Sequence, residues 1–371
     1  MTPNIKFCPN CGEKVFDDSE FCNMCGLKID NIIINTNESE ISKKEIRSEE
    51  DNNSVCSSCS DKSKDNNGQT KLRLLDLVVN VFKKHTLEER ENTFICGTLQ
   101  TAPKASEICS KWPKPWLYSR IFILFTFTFI ALVTLLRVFR NVLAFPGIIF
   151  IGAFIIPFTL LIFFWEVNAP RNVNIFDVVK IFFIGGVSSL LITMVLSRIV
   201  IIGEIDYYGA FMVGFIEETG KLIVVAYYLR GSKRKYILNG LLVGAAVGAG
   251  FAVFETAGYV FAYGYEIPVM MKIIYMRGAL AFGGHIVWAA MCGASLAMVK
   301  EDDRLRIKHI TNLEFFKYYI IAVILHAVWD MPISNISEFP YSQGILTIIA
   351  WVTILILIRA GLNQVSRLKV V

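Results

Sequence analysis

Seven ionisable side chains stand inside otherwise apolar stretches: Glu217, Glu218, Lys221, Glu255, His285, His326 and Asp330. At the centre of a membrane helix each such group costs about 2.5–3.5 kcal/mol, so several together imply one shared, paired or hydrated site. Their spacings are those of helix faces. Glu217 and Lys221 are i,i+4, and Glu218 is i,i+3 to the same lysine. His326 and Asp330 are i,i+4, which lets a carboxylate orient an imidazole and fix its tautomer. A glutamate with two histidines is a ligand set for catalytic zinc with an open position, and Glu218, His285 and His326 make such a set. Zinc there would acidify water and polarise a carbonyl, with a second carboxylate as general base. The same residues permit metal-free chemistry, a buried glutamate activating water while the histidines stabilise an oxyanion. The sequence leaves both routes open, and leaves open which of Glu217 and Glu218 activates water.

Taken singly, each group has a plainer reading. Glu217–Lys221 can be a structural pair, His285 a packing histidine, Glu255 a group bound to backbone donors, and Asp330 a solvated residue near the membrane edge. Taken together, each would carry its own desolvation cost, which favours one site. Gly214 to Lys221 fails as a phosphate-binding loop: the spacing is one residue too long and Leu222 stands where Ser or Thr is needed.

The N-terminus carries a second chemistry. Cys8, Cys11, Cys22 and Cys25 form two CxxC pairs ten residues apart. Four thiolates complete a closed, structural zinc site, and a segment this short needs such a staple. Redox dithiols are the alternative, disfavoured in a reducing compartment. Cys56, Cys59, Cys96 and Cys109 have poor spacing for a second site and read as unpaired.

These residues sit in a chain of 371 residues, 54% hydrophobic and only 19% charged, with net charge +5. An ordinary cytosolic enzyme and a disordered protein are excluded. The charge is too small and dispersed for a nucleic-acid protein, and no nucleic-acid partner is expected. The expected fold is an all-α polytopic membrane protein with about eight transmembrane helices, near 118–138, 143–165, 178–202, 207–229, 237–263, 278–299, 315–334 and 343–360. Seven spans with one re-entrant segment is the alternative. Spans 1, 2 and 8 are essentially free of ionisable groups. Gly244, Gly248 and Gly250 precede Glu255, and Gly283 and Gly284 precede His285, which suits close helix packing. Basic loops after spans 4, 6 and 8 place both termini in the cytoplasm and the charged cluster from mid-membrane to the outer half; Arg137 and Arg140 are exceptions. No signal peptide precedes the polar first half, which is expected to stay cytosolic.

Four parts follow: a zinc ribbon at 1–30, a disordered linker at 31–70, a small cytosolic or juxtamembrane segment at 71–115 and a transmembrane domain at 116–371. In the third part Leu74, Leu75, Val78, Val79 and Phe82 form one apolar helical face. It is read as packing within a small domain, with a partner or the membrane surface as alternatives.

Glu217-Glu218-Thr219-Gly220-Lys221 resembles the EExxK motif of the PrsW intramembrane proteases. Gly250-Phe251-Ala252 leading to Glu255 and Tyr259 is similar to the second family motif, and His285 and His326-Ala-Val-Trp-Asp330 to the third and fourth. The CAAX-type prenyl endopeptidases are more distant: here Lys221 replaces Arg at shorter spacing, and Asp330 replaces Asn. The resemblance implies a transmembrane protease in a bacterial plasma membrane, acting on membrane proteins, including anti-sigma factors, at their extracytoplasmic side. It casts Glu217 and Glu218 as metal ligands or water activators and His285 and His326 as ligands or oxyanion donors. Glu255 and Asp330 become ligands or orienters, and Lys221 neutralises the paired carboxylates. The ribbon is an addition that implies a cytosolic partner. Two other classes remain open, a proton- or cation-coupled transporter and a non-catalytic membrane sensor.

Overall fold

The computed structural model describes residues 5–7 and 14–16 and, from 73 to 367, all but 99, 105–106, 201–205, 265 and 333–340. Cys8, Cys11, Cys22, Cys25, Cys56, Cys59 and the linker expected at 31–70 lie outside the described residues. The chain divides into two units, Met1–Ser57 and Ser58–Val371. In the first, β1 (Ile5–Phe7) and β2 (Lys14–Phe16) pair antiparallel, with Ile5 opposite Phe16.

The second unit is helical. Two short helices, α1 (Asp76–Val79) and α2 (Leu87–Phe94), precede α3 (Leu117–Arg137) and α4 (Phe145–Val167). Next come α5 (Ile175–Lys180), a π-helical turn at Ile181–Gly185, and α6 (Gly186–Ile199). The charged helix α7 (Tyr207–Leu229) leads to α8 (Ile237–Tyr263). Then follow α9 (Ile267–Leu280), a 3-10 turn at Ala281–Gly283, and α10 (His285–Lys300). The chain closes with α11 (Ile307–Ile310), α12 (Leu313–Asp330) and α13 (Tyr341–Arg367).

Six helical segments among the described residues are long and apolar enough to cross a bilayer: 117–137, 142–167, 175–199, 237–263, 267–300 and 341–367. The fold is an all-α polytopic membrane protein. Two of the eight expected spans, now α7 and α12, fall outside this set because they carry the charges. Glu217, Glu218 and Lys221 stand on α7; Glu314, Lys317 and Asp330 stand on α12. The sixth expected span, 278–299, is also redrawn. Its helix starts at His285, and a separate helix, α9, precedes it. Gly283 and Gly284 explain the break, since glycine lets the backbone leave the helical region cheaply.

The core is built on α8, which is buried from Ile237 to Val253 without a break. A helix apolar on every side belongs in an interior. Gly240, Gly244 and Gly248 lie against the backbone of α10 at Gly293, Ala289 and His285, where a Cβ would collide. Gly250 lies equally close to Phe182 in the π-helical turn. This small-residue seam fixes the separation of α8 from α10, and therefore of Glu255 from His285.

The basic loops are stitched together. Lys300 is buried and donates to the carbonyls of Gly231, Glu301 and Asp303 at 3.0, 3.1 and 3.0 Å. Lys235 donates to Asp302 at 3.0 Å, which raises its pKa above the usual lysine value.

Glu166, at the end of α4, holds the start of α3. Its carboxylate accepts from the backbone N–H groups of Trp116, Leu117 and Tyr118 at 2.8, 2.8 and 2.9 Å. These are donors that a helix start leaves without intrahelical partners. Glu166→Ala is expected to lower stability by about 2–3 kcal/mol, because buried donors would be left unpaired. Thermal denaturation of the detergent-solubilised protein measures this, and an unchanged midpoint contradicts it.

Candidate active site

Four helices carry the seven groups to one place. α7 contributes Glu217, Glu218 and Lys221, α8 Glu255, α10 His285 and α12 His326 and Asp330. The i,i+3 and i,i+4 spacings on α7 work as expected. Lys221 Nζ lies 2.8 Å from Glu218 Oε1 and 3.4 Å from Glu217 Oε2. The ammonium also lies 2.8 Å from His285 Nδ1 and 4.1 Å from the centre of the Phe251 ring. Lys221 and Glu218 are both fully buried.

Each imidazole is backed by a carboxylate. His285 Nε2 lies 2.9 Å from Glu255 Oε2, so Nε2 carries the proton and Nδ1 accepts from Lys221. His326 Nδ1 lies 2.8 Å from Glu218 Oε1, which leaves Nε2 turned toward Asp330 at 3.4 Å and Glu217 at 3.7 Å. Trp288 stacks on His326, ring centres 4.5 Å apart, and meets His285 edge-on at 5.3 Å. Aromatic walls of this kind limit the rotation of both histidines.

A cavity of about 390 Å³ opens onto this cluster. Glu217, Glu255, His285, His326 and Asp330 line it, whereas Glu218 and Lys221 do not. The two adjacent glutamates therefore have different situations. Glu218 is locked behind the site by Lys221 and His326. Glu217 faces the cavity, and its Oε2 stands 3.4, 3.7 and 3.9 Å from Lys221, His326 and His285. The first is a long hydrogen bond from Lys221, and the other two exceed hydrogen-bond length.

This corrects one expectation. The carboxylate grouped with the two histidines is Glu217, not Glu218: single atoms of Glu217, His285 and His326 lie within 4.8 Å of one another. Adjacent residues of a helix point about 100° apart, so only one of them can face the cavity.

One site residue was not anticipated. Arg277, on α9, pairs with Glu255, donates to Thr256 at 3.2 Å and lies over the Tyr259 ring at 4.2 Å. It fixes the carboxylate that holds His285. The available signal was a lone arginine in an apolar run, but the expected span began one residue after it. Arg277→Gln is expected to lower turnover about 10–100-fold with little effect on KM, as loss of a ligand-orienting partner does. Arg277→Lys should retain part of it. Equal kcat in Arg277→Gln and wild type contradicts this role.

Residues 176–358 match the profile of the PrsW family intramembrane metalloproteases. This part of the chain belongs to the PrsW family. The match runs from α5 into α13 and contains every one of the seven groups and Arg277. The matched region is thus an intramembrane peptidase domain, whose substrates are membrane proteins. No curated protein and no solved structure matches the chain significantly.

The residues of the PrsW domain fit a metal. One carboxylate and two imidazoles are a catalytic zinc donor set, and each imidazole has a carboxylate behind it in the usual supporting arrangement. Charge agrees. Four carboxylates, Glu217, Glu218, Glu255 and Asp330, face two permanent cations, Lys221 and Arg277. The excess of negative charge suits a divalent cation, although protonation of the histidines would also balance it.

Proposed function

We propose that the chain is a metal-assisted intramembrane endopeptidase with Glu217, His285 and His326 as the metal ligands. The observation that carries this is the gap around Glu217 Oε2 at the head of the cavity, ringed by two imidazoles whose far nitrogens are held by carboxylates. To bind a metal through Nδ1, His285 would give up its 2.8 Å contact with Lys221 Nζ, leaving that ammonium on Glu218. A bound divalent metal would supply Lewis acidity, making water more acidic and a carbonyl more electrophilic. Glu255 and Glu218 orient the two histidines. Lys221 offsets the repulsion between Glu217 and Glu218 and holds Glu218 against His326. Asp330, at the cavity wall and about one-third exposed, takes the proton of the entering water and returns it to the leaving amine.

The substrate in this reading is a transmembrane segment of a single-pass protein, anti-sigma factors included, cut near its extracytoplasmic end. The site lies toward the C-terminal ends of α8 and α12 and the start of α10. The basic loops 230–235 and 304–308 lie at the opposite helix ends. With those loops cytoplasmic, both termini are cytoplasmic and the site faces outward. The N-terminal CxxC pairs are read as a zinc ribbon that docks a cytosolic partner, on their spacing alone. In a bacterial plasma membrane this arrangement joins a cytosolic sensor to an outward-facing protease.

The test uses purified protein in liposomes with a single-pass substrate. A chelator should abolish cleavage, stoichiometric zinc should restore it, and His326→Ala should lower bound zinc by one equivalent per chain. Full cleavage in metal-free protein would exclude the metal-assisted route and favour water activation by Glu217 alone.

A further inference from the structure

The segment before the first span is folded inside out. Asp76 is 5% exposed and turned toward the protein, paired with Arg73 at 3.4 Å and Lys114 at 3.9 Å. Its apolar neighbours point away. Leu74, Val78 and Val79 are about half exposed, Leu75 is 75% exposed and Phe82 is 90% exposed. The expected small-domain helix, with its apolar face packed inward, is therefore not what forms. Only Asp76–Val79 is helical, and the apolar face stays about half exposed or more. In water this arrangement would expose a contiguous apolar patch and bury a carboxylate, the reverse of the usual order.

Its position explains the inversion. Asn80 Nδ2 donates to the Lys114 carbonyl at 3.4 Å, and Tyr118 Oη donates to the Leu77 carbonyl at 3.2 Å. Arg120 Nη2 donates to the Lys83 carbonyl at 3.2 Å. His85 stacks on Trp116 with ring centres 3.9 Å apart. Four ties thus bind residues 77–85 to the entry and first turn of α3, an apolar span whose own outer face exposes Phe122, Ile123 and Leu124. Tryptophan at a span's entry belongs at the headgroup level. The ties hold the apolar patch beside the entry of α3, at that depth. Lys83 and Lys84 follow it directly and are exposed, Lys83 within 3.9 Å of Glu89, which places basic groups where anionic headgroups would lie.

We infer that residues 74–82 form a monotopic collar that inserts into the cytoplasmic leaflet beside α3, its occupant being the phospholipid headgroup–acyl boundary. The collar anchors the polar N-terminal segment to the membrane plane. Because it rests on the membrane-spanning character of α3 and not on catalysis, its failure would leave the protease assignment untouched.

The test places the photo-crosslinker p-benzoylphenylalanine at position 75, 82 or 91 of the full chain in native membranes, with mass spectrometry of the adducts. Glu91, exposed on α2, is the water-facing control. Phospholipid adducts at 75 and 82, and none at 91, are expected. Adducts to another protein, or to residues 1–72 of the same chain, would replace the lipid by that occupant and overturn the inference. So would an absence of lipid adducts at 75 and 82 in protein that retains its normal yield and thermal midpoint. A second measurement guards against a crosslinker that fails to react: Leu75→Glu with Phe82→Glu should speed deuterium uptake of residues 73–85 in nanodiscs, and unchanged uptake counts against the collar.

Discussion

Glu217→Gln should remove cleavage by about 10³-fold or more while leaving the bundle intact. The substitution keeps the size of the side chain and removes the one cavity-facing charge at the centre of the His285–His326 pair. Loss of a charged metal ligand, and with it the charge stabilisation a bound metal would supply, accounts for that range. Glu217 accepts one long hydrogen bond, from Lys221 at 3.4 Å, and the amide oxygen of glutamine can accept it too, so the fold loses little. Glu218→Gln is expected to differ. It weakens a buried contact to Lys221 and one to His326, both 2.8 Å, and so should lower stability as well as turnover. Cleavage assays paired with thermal denaturation separate the two. Equal thermal loss in both variants would contradict the division of labour between the adjacent glutamates.

Lys221→Met should be the most destabilising single change at the site. It leaves the fully buried Glu218 without its lysine partner and beside a second carboxylate, so that the carboxyl either stays charged at a cost or takes up a proton. Breaking a buried pair in this way costs about 3–5 kcal/mol. Lys221→Arg should not rescue it, since the lysine is fully buried against Phe251 and a planar guanidinium has a different shape. Adding Glu218→Gln to Lys221→Met should recover part of the stability, because the uncompensated charge is then gone. A double variant no more stable than Lys221→Met would contradict this explanation, as would a single variant with wild-type stability.

Much of this site was legible because charge is conspicuous in an apolar sequence. The seven groups converge as their spacings imply, and Gly244 and Gly248 ahead of Glu255 mark the α8–α10 seam. Three things were less legible. Glu217 and Glu218 are chemically identical neighbours, and only the rotation of α7 decides which faces the cavity. Arg277 was hidden by a boundary, since hydropathy blurs α9 and α10 into one apolar run of 34 residues. Glu166 lay just past the second expected span, and its partners are backbone groups about 50 positions away in sequence. The apolar face at 74–82 was visible as a pattern, but a pattern does not say whether protein or lipid covers it.

The most direct test of the central claim compares cells making the wild-type chain with cells making Glu217→Gln at equal abundance, by mass spectrometry of new N-termini among membrane proteins. The expected result is one or more new termini at the extracytoplasmic edge of a single-pass protein, present with wild type and absent with Glu217→Gln. Identical sets of termini across stress conditions, with both proteins folded in the membrane, would contradict a protease centred on Glu217.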